Sequence, residues 1–492
     1  MKRLQARMGE DGRTLLDLDT VRDVYIQGIC GSAMAGVAGI LKELGKDVRG
    51  CDRAFLSPMK EMLEALGIEG VEGYRPANLD RVPDLVVVGN VMSRAHPESI
   101  EVRRRNIPYV SFPELFEQTI LDAKRPLVVA GTHGKTTTTA LLAHVLDTLG
   151  ESPGFLAGGI AKGFGSTARL GEGPWFVLEG DEYETAYFDK GPKFLHYRPH
   201  AAILTSVEYD HADIFRSFED YARAFVGFSG LLNGGSPLVV CLEDVPPGIL
   251  EGFRGRLRTY SCAEKADLRL EAVVEAGPEG TRFRAVGGGG TALEIKVPLW
   301  GRHNIKNTLA VFLLLKELGF DPAAVADGIA SFSGVRRRSE VLFRSADLWV
   351  VDDFAHHPTA VKTTLEGLRE HFKGFSILAI FEPRTNTSRT KVFQAAYADS
   401  FAAADSILIL PPPAPKEGEE GFSPGELART LLSQGQRAWP VQGQEDVLGR
   451  LPGLLRGRTL VVTLSNGSMD GLPHRISSGF GVQSSEKAAG SR

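Results

Sequence analysis

The chain has 492 residues, is 43% hydrophobic and 24% charged, and carries a net charge of −5. That length suggests roughly three domains at ~150 residues each, with apolar material for several cores. The mildly acidic balance and the lack of a long basic stripe argue against nucleic acid or an anionic membrane as partner.

The first 20 residues, MKRLQARMGEDGRTLLDLDT, hold charges and no apolar h-region, so no secretory signal is expected. RDVYIQG (22–28) reads as a strand, AMAGVAGILKELG (33–45) as a helix closed by glycine, and DVRGCD (47–52) as a second strand. PDLVVVGN (83–90) gives a further strand. This β-α-β opening predicts a Rossmann-like region over 22–124, after an N-terminal extension over 1–21. GICGSAM (28–34) only loosely matches G-x-G-x-x-G, because Cys30 and Ala33 hold glycine positions. It suits close approach to a diphosphate better than it suits a dinucleotide, and Asp52 ends the next strand where an acid could meet a ribose.

RPLVVA (125–130) reads as a buried strand, followed by GTHGKTTTT (131–139) and an apolar helical stretch, ALLAHVLDTLG (140–150). Strand, glycine loop and helix make a phosphate cradle. The general P-loop pattern would put glycine five positions before Gly134, and Val129 stands there. The backbone N–H groups of Gly131 to Thr136 could face phosphate, with Lys135 reaching the β/γ-phosphates and the Thr136 hydroxyl on Mg²⁺. His133 has no assigned role from the sequence.

WFVLEGDE (175–182) and HAAILTSVEYDH (200–211) read as buried strands that end in acids and a histidine, where ligands collect in parallel sheets. Glu179 and His211 are candidates for a metal site, with Asp181, Glu182 and Asp210 as competitors; helix-capping acids in a polar loop are the plainer alternative. Alternating runs over 269–299 suggest an antiparallel annex. HNIKNTLAVFLLLKELG (303–319) reads as a helix.

From about 334 the strands 345–354, 375–381, 406–410 and 459–465 alternate with helical stretches such as 359–372, a third α/β region running to 476. VDDFAHHPTAV (351–361) reads either as a metal site or as a helix start with Pro358 in its first turn. FEPRTNTSRTKVF (381–393) sets Arg384 and Arg389 in a polar loop, where arginine forks suit carboxylates. The stretch 411–421 is expected as a loop and 477–492 as a disordered tail. The four cysteines, Cys30, Cys51, Cys241 and Cys262, are scattered, which fits reduced thiols and a cytoplasmic location.

Taken in order, GTHGKTTTT, GRHNIKNTLA (301–310) and VDDFAHHP resemble the motifs of the Mur ligase family, the ATP-dependent amino-acid and peptide ligases of peptidoglycan synthesis. The resemblance covers residues 22 to 476 and implies an α/β fold of three domains: 22–124 for a UDP-substrate, 125–333 for ATP, with a P-loop ATPase-like parallel sheet, and 334–476 for the incoming acceptor. PGFLAGG (153–159), EGDEYETAYFDKGPKFLHYRP (179–199), DHADIF (210–215), EPRTNT (382–387) and SNGSMDG (465–471) are similar to the branch that joins UDP-N-acetylmuramate to the murein tripeptide L-alanyl-γ-D-glutamyl-meso-diaminopimelate. The branch that adds a single L-alanine is the alternative.

The resemblance implies roles residue by residue. Lys135, Glu179 and His211 would be catalytic, and Thr136, Glu179 and His211 would hold Mg²⁺. ATP would meet Gly131, Thr132, His133, Gly134, Lys135, Thr136, Thr137, His303, Asn304, Asn307 and Asp353. The UDP-substrate would meet Gly28, Gly31, Ser32 and Asp52, and the peptide Arg384 and Asn386. No obligatory protein partner is implied. Several family members carbamylate a lysine in a stretch like Tyr-x-Ala-Ala-Lys to help hold a second Mg²⁺. In this sequence YARAF (221–225) puts Phe225 there, so that modification is not expected.

Overall fold

The computed structural model describes residues 7–8, 14–210, 214–232, 234–288, 290, 292–385, 387–414 and 420–489. The chain gathers into two compact units, one of residues 1–270, 285–293 and 306–333, the other of 271–284, 294–305 and 334–492.

In the first unit, five strands make a wholly parallel sheet: Asp23–Gln27, Asp47–Asp52, Glu69–Glu72, Leu85–Val88 and Tyr109–Ser111. Its order is 69–72, 47–52, 23–27, 85–88, 109–111. Two of the three inner strands read VYIQ and LVVV because both faces are buried, the burial that a doubly covered parallel sheet demands. The order reverses between 23–27 and 85–88, and a crevice beyond the carboxyl ends of the strands forms at such a switch point. Gly28 leaves one of those strands there with φ +77.

A second sheet in this unit runs 166–169, 154–161, 175–180, 125–130, 201–204, 237–241, 256–261 and on to Leu268–Gly277. Every pairing is parallel except that of 166–169 with 154–161. Arg125–Ala130 lies between Trp175–Gly180 and Ala201–Leu204, with Val129 opposite both Glu179 and Ile203. The strand that feeds the glycine loop is therefore central, and its neighbours deliver the acidic residues beside it. Helix Ser32–Glu43 of the first sheet seats against the 154–169 hairpin. A Cβ on Gly36 would come within 2.7 Å of Leu156 and 2.8 Å of Thr167, so only glycine permits this approach.

The annex holds Leu268–Gly277, Gly280–Gly287 and Ala292–Val297 as neighbours in that order. Only residues 278 and 279 separate the first two strands, a link short enough for a hairpin alone. The first annex strand joins 256–261 in parallel, so the sheet as a whole is mixed.

The second unit carries a sheet in the order 340–344, 348–353, 459–464, 376–381, 406–409, 437–440. Its first pair is antiparallel and the rest are parallel. Asp353, Leu464 and Phe381 stand in register, so the loops DFAHHP, SNGSMDG and EPRTNT all leave one edge.

Of the described part of 200–211, Ala201–Leu204 is strand; Thr205 N–H carries the ladder one bond further, to Ala130 O at 3.0 Å, while the Thr205 hydroxyl and Ser206 serve the glycine loop. The helix that starts at Leu472 runs through Ala489. Leu472 and Ile476 are buried ahead of residue 477, and Phe480 packs 6.4 Å from Phe343. Among the described residues no helix is long and apolar enough to cross a membrane.

Candidate active site

Helix Lys135–Thr148 begins directly at the glycine loop, with Gly134 at its N-cap in the left-handed region and no side-chain cap. Its first amides therefore present the positive end of a four-turn helix, the arrangement that binds phosphate. The loop's own amides divide their work. Thr132 N–H donates to Ser206 O at 2.9 Å and His133 N–H to Ser206 Oγ at 3.0 Å. These two of the amides expected to face phosphate are used to hold the loop against residues 205–206. The Thr205 hydroxyl donates to His133 O at 2.6 Å, and a Cβ on Gly131 would strike Thr205 Oγ1. A Cβ on Gly134 would lie 2.6 Å from Asn307 Oδ1, so Asn307 sits against the loop.

His133 now has a partner: its Nε2 lies 2.8 Å from Glu208 Oε2. Thr132 Oγ1 is 2.8 Å from the Tyr221 hydroxyl. Lys135 turns inward. Its ammonium donates to Gly131 O at 2.6 Å and to Glu182 Oε2 at 2.8 Å. Burial alone would lower the pKa of Lys135, but Glu182, Asp181 and Glu179 outweigh it and the net direction is up, so the ammonium stays charged. The Tyr221 hydroxyl donates to the other oxygen of Glu182 at 3.1 Å.

Thr136 and Glu179 lie side by side. The Thr136 hydroxyl donates to Glu179 Oε1 at 2.9 Å, and Gly158 N–H donates to Glu179 Oε2 at 2.5 Å. A hydroxyl and a carboxylate set at a phosphate loop are oxygen donors of the kind that suit Mg²⁺, so the residues fit that ion. Asp181 is engaged separately, accepting from the Tyr183 hydroxyl at 2.7 Å and the Lys193 ammonium at 2.9 Å.

Phe225 is fully buried, 5.2 Å from the Tyr221 ring and 5.6 Å from that of Phe194. Aromatic packing occupies the position the sequence resemblance singled out. The sequence reading passed over Tyr221, Glu208 and Thr205. Tyr221 was visible in YARAF, one helical turn before Phe225, but its partners come from distant strands.

Gly28, Gly31 and Ser32 follow strand Asp23–Gln27 in one turn, with Gly31 N–H donating to Gly28 O at 3.2 Å. Asp52 fastens their loop, accepting from Cys30 N–H at 2.8 Å, Arg53 N–H at 2.7 Å and the Tyr74 hydroxyl at 3.1 Å. His303 and Asn304 open helix Arg302–Glu317 in the second unit, where Asn304 Nδ2 donates to Trp300 O at 2.8 Å. Asp353 accepts from Ser339 N–H at 2.6 Å and Ala355 N–H at 2.8 Å, which fixes the DFAHHP loop. Arg384 lies 3.4 Å from Glu382 Oε1 and 4.0 Å from Asp470 Oδ1, against Gly467 of the neighbouring loop. His211 and Asn386 lie outside the described residues.

A central strand, a glycine loop with an inward lysine, and a threonine–glutamate pair define a nucleoside-triphosphate-binding enzyme of the P-loop type. Comparison with known proteins narrows the class. Residues 23–124 match the model of the Mur ligase family, catalytic domain; 129–315 match the Mur ligase middle domain; and 337–467 match the Mur ligase, glutamate ligase domain. UDP-N-acetylmuramate–L-alanyl-γ-D-glutamyl-meso-2,6-diaminoheptandioate ligase of Escherichia coli K12 is 36% identical over 394 residues, 79% of this chain and 85% of the relative. UDP-N-acetylmuramate–L-alanine ligase of Halorhodospira halophila is 33% identical over 478 residues, 96% of each chain. The crystal structure of a murein peptide ligase from Psychrobacter arcticus superposes with TM-score 0.70 at 29% identity, covering 92% of this chain and 97% of that one. The chain belongs to the Mur ligase family, and so is an ATP-dependent amide-forming ligase of peptidoglycan metabolism.

Proposed function

We propose that this ligase joins UDP-N-acetylmuramate to L-alanyl-γ-D-glutamyl-meso-diaminopimelate in peptidoglycan recycling, in the cytoplasm. The observation that carries the reading is the acceptor-side edge of the second unit, where Arg384 of EPRTNT lies against Gly467 of SNGSMDG. An arginine fork and an acid side by side suit an acceptor that brings several carboxylates and an amine. The E. coli relative named for the tripeptide reaction supports this choice. The H. halophila relative, named for addition of L-alanine, is the reason to test it.

The chemistry follows from a carboxylate being a poor electrophile. The lactyl carboxylate oxygen attacks the γ-phosphorus of ATP, ADP leaves, and an acyl phosphate forms. The free amine of the peptide's L-alanine then attacks the acyl carbon, phosphate leaves, and the amine's proton is lost to solvent or base. Lys135, the amides at the start of helix 135–148 and the loop glycines would bind and orient the triphosphate. Thr136 and Glu179, with His211, would hold Mg²⁺, which when bound neutralises charge on the transferred phosphoryl group. Asn307 would stand beside the loop on the adenine side, with His303 and Asn304 of the same helix and Asp353 towards the ribose. Gly28, Gly31 and Ser32 would take the UDP diphosphate, and Arg384 and Asn386 the peptide.

The deciding experiment is phosphate release with ATP, Mg²⁺ and UDP-N-acetylmuramate, offering L-alanine or the tripeptide. Release with the tripeptide alone is expected. Release with L-alanine would move the protein to the biosynthetic branch.

A further inference from the structure

The loop lysine does not reach outward over the loop. Its ammonium is bonded to Gly131 O and to Glu182, and the two side chains are 10% and 1% exposed. Glu182 is itself fastened from elsewhere. Tyr221, on helix Phe218–Gly230, donates to its second oxygen and also touches Thr132 within the loop. Thr132 is tied in turn to Glu208, through its hydroxyl and through Glu208 N–H, both at 3.0 Å. A lysine stem has four rotatable carbons and can swing its charge, whereas a carboxylate held by a buried phenol stays where it is.

We propose that Glu182 is a positioning residue that holds the Lys135 ammonium against Gly131 O and yields it to the incoming triphosphate. Nucleotide binding is then an exchange of partners. Lys135 leaves Glu182 for phosphate oxygens, and Glu182 keeps the Tyr221 hydroxyl. The pair opposes binding by the strength of one buried charge-assisted bond, and it keeps the lysine aligned at the loop while nucleotide is absent. The inference rests on the reading of GTHGKTTTT as the ATP site and is independent of which acceptor is used.

The two partners of Glu182 predict opposite effects. Glu182→Gln removes the competing charge, so ATP should bind about tenfold more tightly, the scale of one charge-assisted hydrogen bond. Tyr221→Phe removes the rival donor, so Glu182 leans harder on Lys135 and ATP should bind more weakly. The test is titration calorimetry of the full chain with a non-hydrolysable ATP analogue and Mg²⁺, alongside KM for ATP and kcat for phosphate release. Loss of packing alone would weaken binding in both variants. Tighter binding in Glu182→Gln with weaker binding in Tyr221→Phe supports the exchange. Unchanged or weaker binding in Glu182→Gln overturns it. Should Glu182→Gln fail to fold, Tyr221→Phe with unaltered affinity overturns it equally. A wild-type chain that binds no analogue would remove the nucleotide-site reading itself, a result distinct from a failure of the exchange.

Discussion

Thr136 and Glu179, from the helix start and the neighbouring strand end, meet at 2.9 Å. Glu179 reaches that point because it lies opposite Val129 in the sheet, and its second oxygen is pinned by Gly158 N–H on the next strand. Strand register thus sets the pair proposed to hold Mg²⁺. Glu179→Gln keeps the shape and removes the charge. Phosphate release should fall about a hundredfold even at saturating Mg²⁺, the scale seen when one preorganised electrostatic group is lost. Wild-type turnover in this variant would dismiss Glu179 as a ligand.

This pair also shows how far the sequence reaches. The parallel sheet, the loop after a buried strand and the acids at the next strand end are local patterns, readable in RPLVVA, GTHGKTTTT and WFVLEGDE. The bond between Thr136 and Glu179 needs strands 125–130 and 175–180 to be neighbours, an order no local pattern encodes. The same holds for Tyr221 and Glu182, which stand on different elements. Asp52 at its strand end was legible as an acid, but its bonds to Cys30 N–H of the preceding loop and to the Tyr74 hydroxyl were not, because those partners lie 22 residues away on either side. The helix that starts at Leu472 was hidden because its apolar residues, Leu472, Ile476 and Phe480, are sparse among serines and glycines.

Lys135→Ala should abolish turnover, since the charge proposed to meet the phosphates is gone. The structure adds a stability cost, because Glu182 is left buried without its cation. Breaking one side of such a pair costs on the order of 3–5 kcal/mol, whereas replacing both sides can be nearly neutral. Urea denaturation of Lys135→Met, Glu182→Gln and the double variant forms the cycle that measures it. The double variant should recover most of the stability lost in Lys135→Met; additive losses would contradict the pairing.

His196 joins two elements by placing Nδ1 2.8 Å from Glu117 Oε2 and Nε2 2.7 Å from Asp189 Oδ2. Both ring nitrogens face carboxylates, so the imidazolium is the form that satisfies them. Burial alone would lower its pKa, but the bond to Glu117 and the charge of Asp189 outweigh it, and the net direction is up. Glu117 is held below its usual range by the His196 bond first, with Arg198 assisting. A raised histidine adds stability below its unfolded pKa of about 6.5 and loses it as pH rises through the folded value. A lowered glutamate adds stability above about 4.3 and loses it as pH falls through its folded value. The joint should therefore be strongest between those limits. Thermal denaturation of wild type and His196→Asn should differ most at about pH 5.5–6, and the two should converge as pH rises. A gap that does not depend on pH would show that the histidine contributes packing alone.

Arg384 is one-third exposed, near the carboxylates of Glu382 and Asp470, with its stem against Gly467. The exposed fork leaves donors for an acceptor's carboxylate, and Glu382 is itself held by the Ser465 hydroxyl at 2.8 Å, which fixes where the fork can lie. Arg384→Ala should raise KM for the tripeptide about tenfold or more, the loss of a charge-assisted bond of about 1.5–3 kcal/mol. The KM for ATP should stay the same, because the nucleotide contacts are proposed for other residues. Arg384→Lys should recover part of the effect only, since an ammonium keeps the charge without the fork. Steady-state phosphate release with tripeptide and ATP varied in turn separates the two constants. Equal rises in both would place Arg384 outside the peptide subsite.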